Sequence, residues 1–448
     1  MALELTRLFP ENCRAVYLST RISPERLYEQ FPWSKSCIHQ ENVLDSNANA
    51  YPDTKQEALF EYVDKPSFLR SLYSKVMDSP KENIAIIVDS LDTLKLNLKI
   101  PSDDLDMECD ILEIANKLNA KVLFISEQCR ESKLDYLVDG VLRLEKKIVD
   151  GRLLRKLYIE KVRGNKIENP VYLFTLKGGR FTCFEKGIQM NYINQKLSIG
   201  DEKKGIKIPS LISELDNILG GGFERGTFNI FDVGNRVGLN HTYVCVPMFL
   251  NLVIQGIPVL SIPSKGIFST DFVKNRPSIF LSDVFLSSLD EATLKQLSKY
   301  FCVVLPSSHN TPNKIEEFRT YFLEGKDYKE DIDRFIDFAS KILSEVQADT
   351  LLVTMATDTM EYIYGANGLL KIIQTWMDRI KRINGIMALF QFGHETLRLQ
   401  THLASNYFRI ENINGNIVFY GEIPKTKMYI ASLDMLKGRI HTRLTPIE

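Results

Sequence analysis

Residues 220–242, GGGFERGTFNIFDVGNRVGLNHT, hold the most chemically suggestive spacing in this 448-residue chain. A Gly-rich turn, an apolar strand over Thr227–Asp232, a second Gly-containing loop and an apolar run follow one another as in a phosphate-binding loop. Such a loop works because backbone N–H groups at a helix N-terminus hold phosphates, a Lys reaches the β and γ oxygens, and a hydroxyl holds Mg2+. Gly234 and Gly238 keep the frame. Asn240 fills the Lys position, His241 the hydroxyl position, and Thr242 comes one residue late. The metal-holding Asp expected after the third strand of this half falls at Thr354 in LLVTMATDTM, with Asp358 four residues on. This half is therefore expected to be unable to hydrolyse a nucleotide, with at most weak binding of a nucleotide or another anion.

Asp89, which ends the apolar run IAIIVD, has a better position, and Ser90 lies beside it. A strand-end Asp holds Mg2+ through water in nucleotide sites, or else caps the turn that follows; the metal is the preferred reading here. Gln128, just beyond KVLFISE, is expected to be an ordinary strand-end polar residue. Lys161 and Arg163 in EKVRG lie near Lys146, Lys147, Arg152, Arg155 and Lys156. That is the composition of a solvated basic hairpin, and without interleaved aromatics it argues against nucleic acid. His241, His394 and His402 lack ligand spacing and are expected to be core or solvent histidines. Tyr362 and Tyr364 are expected to pack on the sheet edge, not to stack on a base.

These residues need a scaffold, and composition bounds it. With 44% hydrophobic and 25% charged residues the chain is an ordinary globular protein long enough for two cores. A formal net charge of −1 gives no general attraction to nucleic acid or membranes. Seven scattered cysteines, with no CxxC pair, suit a reducing compartment. The N-terminus has no signal-peptide pattern, and the longest apolar run, 244–263, is broken by Pro247, Asn251, Gly256 and Pro258. The expectation is a cytoplasmic protein without a membrane span.

Short apolar strands at Ala15–Leu18, Ile84–Val88, Lys121–Ile125 and Gly140–Leu144 alternate with helical patterns over Lys65–Met77 and Asp106–Leu118. Continuous apolar strands between amphipathic helices predict a parallel sheet covered on both faces. Two strands of antiparallel character follow at Leu153–Lys161 and Val171–Leu176. The second half repeats the order, with strands at Gly226–Asp232, Pro258–Ile262, Leu351–Met355 and Ile386–Phe390. Asn406–Glu411, Asn416–Tyr420 and a terminal ribbon at Lys427–Ala431 close it. An internal duplication is expected, with domains at 1–187 and 208–448 and a polar linker over 188–207.

Four segments in this order carry a family resemblance: IIVDSLDTL, YLVDGVLRLE, LRKLYIEKVRG and IPSLISELDNILGGGFERGTFNIF. With them the chain resembles the KaiC/GvpD-like branch of the RecA-superfamily P-loop ATPases. The resemblance implies an α/β fold of two tandem RecA-like domains, each a mostly parallel sheet flanked by helices and closed by an antiparallel ribbon. It implies ATP and Mg2+ at Asp89 and Ser90, and a trans-acting arm at Lys161 and Arg163 that reaches the neighbouring subunit's phosphates. That arm and the solvated hairpin weigh about evenly. Self-association through RecA-like surfaces and a protein partner are also implied.

The departures from the pattern matter as much. Val237 and Leu239 stand where the family prefers Gly, and Arg21 stands where it has a catalytic Glu, with Ser264-Lys265 at the same place in the second half. Met1–Leu5 align just after the family's phosphate loop, so the first domain is expected to lack its P-loop strand in this chain. A longer natural protein carrying that loop upstream is the preferred expectation, and ATP in the first domain depends on it. The function implied is a nucleotide-responsive regulatory or assembly factor with a degenerate second domain. The alternatives are an active ATPase and an interaction scaffold that binds no nucleotide.

Overall fold

The computed structural model describes residues 2–7, 9, 13–45, 67–77, 83–128, 132–193, 207–265, 291–307, 319–392, 403–436 and 439–448. The chain forms two compact units, residues 1–145 with 157–182, and residues 146–156 with 183–448.

In the first unit, β1 (Cys13–Ser19), β2 (Val43–Asp45), β3 (Asn83–Asp89) and β4 (Lys121–Ile125) pair in the order β2-β1-β3-β4. Every pairing is parallel. The strands are apolar on both faces because both are covered. The helices Ser67–Met77 and Asp106–Lys117 pack Leu69, Leu72, Ile111 and Ile114 on one face. Leu3, Leu27 and Tyr28 cover the other. Removing each large side chain from water stabilises the unit by about 2–3 kcal/mol. One buried ion pair ties two helices together. Lys95 meets Glu108 and also donates to the carbonyl oxygen of Ser102 at 3.1 Å, while Glu108 Oε2 has no partner.

A second sheet joins β5 (Gly140–Val149), β6 (Arg152–Val162), β7 (Val171–Thr175) and β8 (Thr182–Phe184) in that order. Asp150 and Gly151 turn β5 into β6 with φ of 49° and 73°, the double positive φ of a tight hairpin. A two-residue turn makes the pair antiparallel, so Gly140–Leu144, read from the sequence as a strand of the parallel sheet, belongs to this separate sheet instead.

The second unit adds β9 (Met190–Ile193), β10 (Lys207–Ile208), β11 (Phe223–Glu224), β12 (Phe228–Val233), β13 (Val259–Ile262) and β14 (Phe301–Pro306). It continues with β15 (Arg319–Leu323), β16 (Leu352–Ala356), β17 (Ile386–Phe392), β18 (Asn406–Ile413), β19 (Asn416–Ile423), β20 (Tyr429–Leu436) and β21 (Arg439–Pro446). The large sheet runs β15-β14-β13-β16-β17-β12-β18-β19-β20-β21. It is parallel from β15 to β18 and antiparallel from β18 to β21. The helix Thr242–Ile254, apolar nearly all round, is buried on one face. On the other, Trp376 of the helix Leu369–Arg382 and Phe335 of the helix Tyr328–Val346 pack ring on ring at 4.8 Å.

Three differences from the sequence reading have plain causes. Met190–Ile193, inside the stretch read as linker, forms β9 and pairs parallel with Leu433–Leu436 of β20, where an open sheet edge satisfies its backbone. The strands β14, β15 and β21 carry no pattern that singled them out. Tyr362 and Tyr364 sit on a helix, Thr357–Tyr364, and not on the sheet edge; Tyr364 bonds Asp331 at 2.9 Å and Tyr362 is exposed. At Gly222, with φ +128°, any Cβ would run into the Ile208 carbonyl, so only glycine lets β11 lie against β10.

Lys95→Met should cost the first unit about 3–5 kcal/mol by stranding Glu108, and adding Glu108→Leu should recover most of the loss. Urea unfolding followed by Trp33 fluorescence in a Trp376→Phe background measures both.

Candidate functional site

The residues of interest in the first unit gather at the C-terminal ends of β1, β3 and β4, the edge at which parallel α/β sheets bind ligands. Ser19, Asp89 and Ile125 stand in register there. Asp89 and Ser90 are joined by a cis peptide bond. The Asp89 carbonyl accepts from Thr20 N at 2.9 Å, and Ser90 N donates to Thr20 Oγ1 at 2.9 Å. The Tyr17 hydroxyl donates to Asp89 Oδ2. Burial, then the Asp89 charge, then that hydrogen bond push the Tyr17 phenol far above its usual range, so it remains a donor at every relevant pH. Ser90, fully buried, caps the helix Leu91–Leu98 and accepts from Thr93 N at 3.4 Å. The cap is therefore Ser90, and the Asp89 carboxylate lies on the strand end.

Arg21 reaches into the same group. Its guanidinium ion-pairs with Glu127 and donates to Ser90 Oγ at 3.3 Å and Thr93 Oγ1 at 3.2 Å. Asp92 accepts from Glu127 N at 2.6 Å and Ser126 Oγ at 2.9 Å. The strand β4 ends at Ile125, and Gln128 is exposed beyond it. From this strand end it is Glu127 that joins the cluster, through Arg21 and Asp92. Nothing in local spacing marked Arg21, Asp92 or Glu127 as one cluster, because three strand ends separated by up to about a hundred positions supply it.

Lys161 and Arg163 both have partners within their own unit. Lys161 donates to the carbonyls of Asp135 at 2.6 Å and Val138 at 2.7 Å, and exposed Arg163 pairs with Asp139 at 3.0 Å.

In the second unit, β12, a loop over 234–237, a short 3-10 turn over Gly238–His241 and the helix Thr242–Ile254 reproduce the strand–loop–helix path. Three of its backbone donors are used within the fold. Gly234 N donates to Ile410 O at 2.9 Å, Val237 N to Gly234 O at 2.9 Å, and Asn240 N to Val237 O at 3.2 Å. A Cβ on Gly234 would collide with the Glu411 carboxylate. That acid, with Asp232, lines the loop where a phosphate would need positive charge. Burial, and secondarily Asp232, raise the Glu411 carboxyl above its usual range, while Arg409, 3.2 Å away, lowers it.

His241 is 7% exposed; its Nδ1 lies 2.8 Å from the Gly238 carbonyl, and its ring stands edge-on to Phe392. Burial lowers its pKa and outweighs the opposing bond to Gly238 and charge of Asp358, so the ring is neutral. Thr354 bonds Ser261 at 2.8 Å, and Asp358, in the next helix, accepts from Ser264 and from Lys265 N at 3.1 Å. Among the described residues, β16 carries Thr354 where the metal-holding Asp was expected. Thr242 begins the helix, and His394 and His402 lie outside the described residues.

Comparison with known proteins agrees with this reading of kinship. Residues 3–160 match the family described as GvpD gas vesicle protein, P-loop domain. Over those residues the chain is similar to the P-loop domain of that family. Protein GvpD2 of Halobacterium salinarum is 24% identical over 442 residues, covering 94% of this chain and 85% of that protein. Protein GvpD1 of the same organism is 24% identical over 467 residues, covering 92% and 85%.

A His with a folded pKa below its unfolded value of 6.5 favours the fold only while neutral. The second unit should therefore hold full stability above about pH 6.5 and lose it as pH falls toward the folded pKa. His241→Gln should flatten that slope in thermal melts between pH 5 and 8. Restoring the pattern with Asn240→Lys and His241→Thr should leave nucleotide binding undetected by calorimetry, because the loop amides stay occupied.

Proposed function

We propose that the chain is a KaiC-like, two-domain RecA-type protein acting as a nucleotide-responsive regulatory or assembly factor, with a second domain that has given up phosphate chemistry. Since the matching family is described as a gas vesicle protein, the process we assign is gas vesicle formation. The observation that carries the reading is the contrast between two equivalent sheet edges. One presents Asp89 and Ser90 beside Arg21; the other has a loop in which the amides of Gly234, Val237 and Asn240 bond protein carbonyls, and a neutral His241 in place of the metal-holding hydroxyl.

The domain duplication has support strand by strand. The order β14-β13-β16-β17 parallels β2-β1-β3-β4, and β18-β19-β20-β21 parallels β5-β6-β7-β8. The hairpin turns Asp150-Gly151 and Asn414-Gly415 share positive φ at both residues.

Asp89 would hold Mg2+ through water, with the nucleotide's phosphates completing the shell, since among the described residues no three His, Cys, Asp or Glu side chains gather at one metal. Mg2+ would neutralise phosphate charge, and Arg21 would add a guanidinium to the same phosphates once released from Glu127. An arginine cannot take a proton from water, so ATP binding matters and turnover is slow. Self-association and a protein partner belong to the proposal; nucleic acid does not. A cytoplasmic setting is proposed as well, and among the described residues no helix is long and apolar enough to cross a membrane.

In a chain that carries a phosphate loop ahead of Met1, on which ATP in the first domain depends, titration with a fluorescent ATP analogue and Mg2+ should give saturable binding that weakens at least tenfold in Asp89→Ala and is unchanged in His241→Gln. Absence of binding would move the scaffold reading to the front. Steady phosphate release abolished by Asp89→Ala would make the protein an enzyme instead.

A further inference from the structure

In the second unit a cavity lies between the start of the helix Thr242–Ile254 and the ends of β13, β16 and β17. Its space is about 60 Å3 at the centres of water-sized spheres. One water needs roughly 10–15 Å3 on that measure, so the space takes several waters or one small molecule. Phe249, Phe390 and Phe392 give it aromatic walls. On this face of the sheet the strands carry Val259, Leu352, Ala388 and Phe390 at alternate positions. Ser261 and Thr354 break that apolar series, and both line the cavity.

Two polar atoms of the wall have bonding capacity left over. His241, 7% exposed, gives its Nδ1–H to the Gly238 carbonyl at 2.8 Å. A carbonyl only accepts, so Nε2 of the neutral ring carries the lone pair, and no described residue donates to it. Ser261 Oγ, also 7% exposed, accepts from Thr354 Oγ1 at 2.8 Å and gives its own hydrogen to no described residue. Buried polar atoms of this kind are costly to leave unmade. Several waters would each need about two to four polar partners, more than these two atoms supply. Among the described lining residues none is charged, and the Asp358 carboxylate, whose charge acts on His241, opposes an anion. A cation would have to shed its water against aromatic walls.

We propose that this cavity binds a small neutral aromatic alcohol of the phenol class, its ring among the phenylalanines and its hydroxyl donating to His241 Nε2 and accepting from Ser261. One hydroxyl is both donor and acceptor, which is what the two wall atoms lack, and the rest of such a molecule is apolar like the rest of the wall. The proposal gives the second unit a ligand of its own. It depends neither on a phosphate loop nor on Asp89.

The test titrates the full chain with 4-fluorophenol and with fluorobenzene, followed by fluorine NMR. We expect one-to-one binding of both, the phenol held about tenfold more tightly through its hydrogen bonds. In His241→Phe, which keeps a ring and removes the acceptor, that preference should vanish while fluorobenzene still binds, which reports an intact site. Ser261→Ala leaves the Gly238–His241 turn untouched and should weaken the phenol about threefold with fluorobenzene unchanged. Absence of binding by both compounds, equal affinity for the two in the unaltered chain, or a phenol preference that survives either substitution would overturn the proposal. Displacement of 4-fluorophenol by inorganic phosphate or ATP with Mg2+ would also overturn it, since the space would then serve phosphate. Binding of the ATP analogue, measured alongside in Asp89→Ala, keeps failure here distinct from failure of the functional reading.

Discussion

The C-terminal edge of the second unit's sheet depends on one strand having both its sides paired. The strand β12 hydrogen-bonds to β17 on one side and β18 on the other, and that double pairing fixes where its loop emerges. It also brings Ile410 close enough to take the Gly234 N–H and sets Glu411 against the glycine. A parallel interior strand exposes its backbone to no solvent, so it cannot slide or tilt without breaking two ladders. The loop amides are therefore held against protein carbonyls as firmly as the sheet is held together.

The same constraint explains why the side chains of that loop are free to depart from a phosphate-binding pattern. The amides of Gly234, Val237 and Asn240 are bonded within the fold. Burial then favours a neutral ring packed on Phe392. In the first unit the corresponding edge keeps its polar groups together through cross-strand bonds. Thr20 ties β1 to the Asp89–Ser90 turn, and Asp92 ties the next helix to the end of β4. Arg21 then bridges the cluster from above Ser90 to Glu127. A guanidinium paired with an exposed carboxylate is weakly held. It can exchange that partner for a phosphate at small cost.

The two hairpins show how far local sequence carries a fold. Asp150-Gly151 and Asn414-Gly415 each force a tight reversal, and an Arg–Tyr pair sits across each. What differs is the neighbour beside the first strand of each pair. Leu142 and Phe408 have equal claims to burial by type, and only Phe408 obtains it.

By itself the sequence determined the element types. Apolar strands alternating with amphipathic helices could satisfy their backbones in few other ways, and the missing Lys at Asn240 and missing acid at Thr354 were visible as residue identities. The Asp89 strand end was legible for the same reason, since strand and turn are contiguous. Only the tertiary structure decided which distant residues meet. Glu127 pairs with Arg21, Lys161 donates to carbonyls of its own unit, and residues read as linker add strand β9 to β20. Those outcomes follow from strand order and register, which arise from contacts between segments far apart in the chain and leave no periodic trace within any one of them.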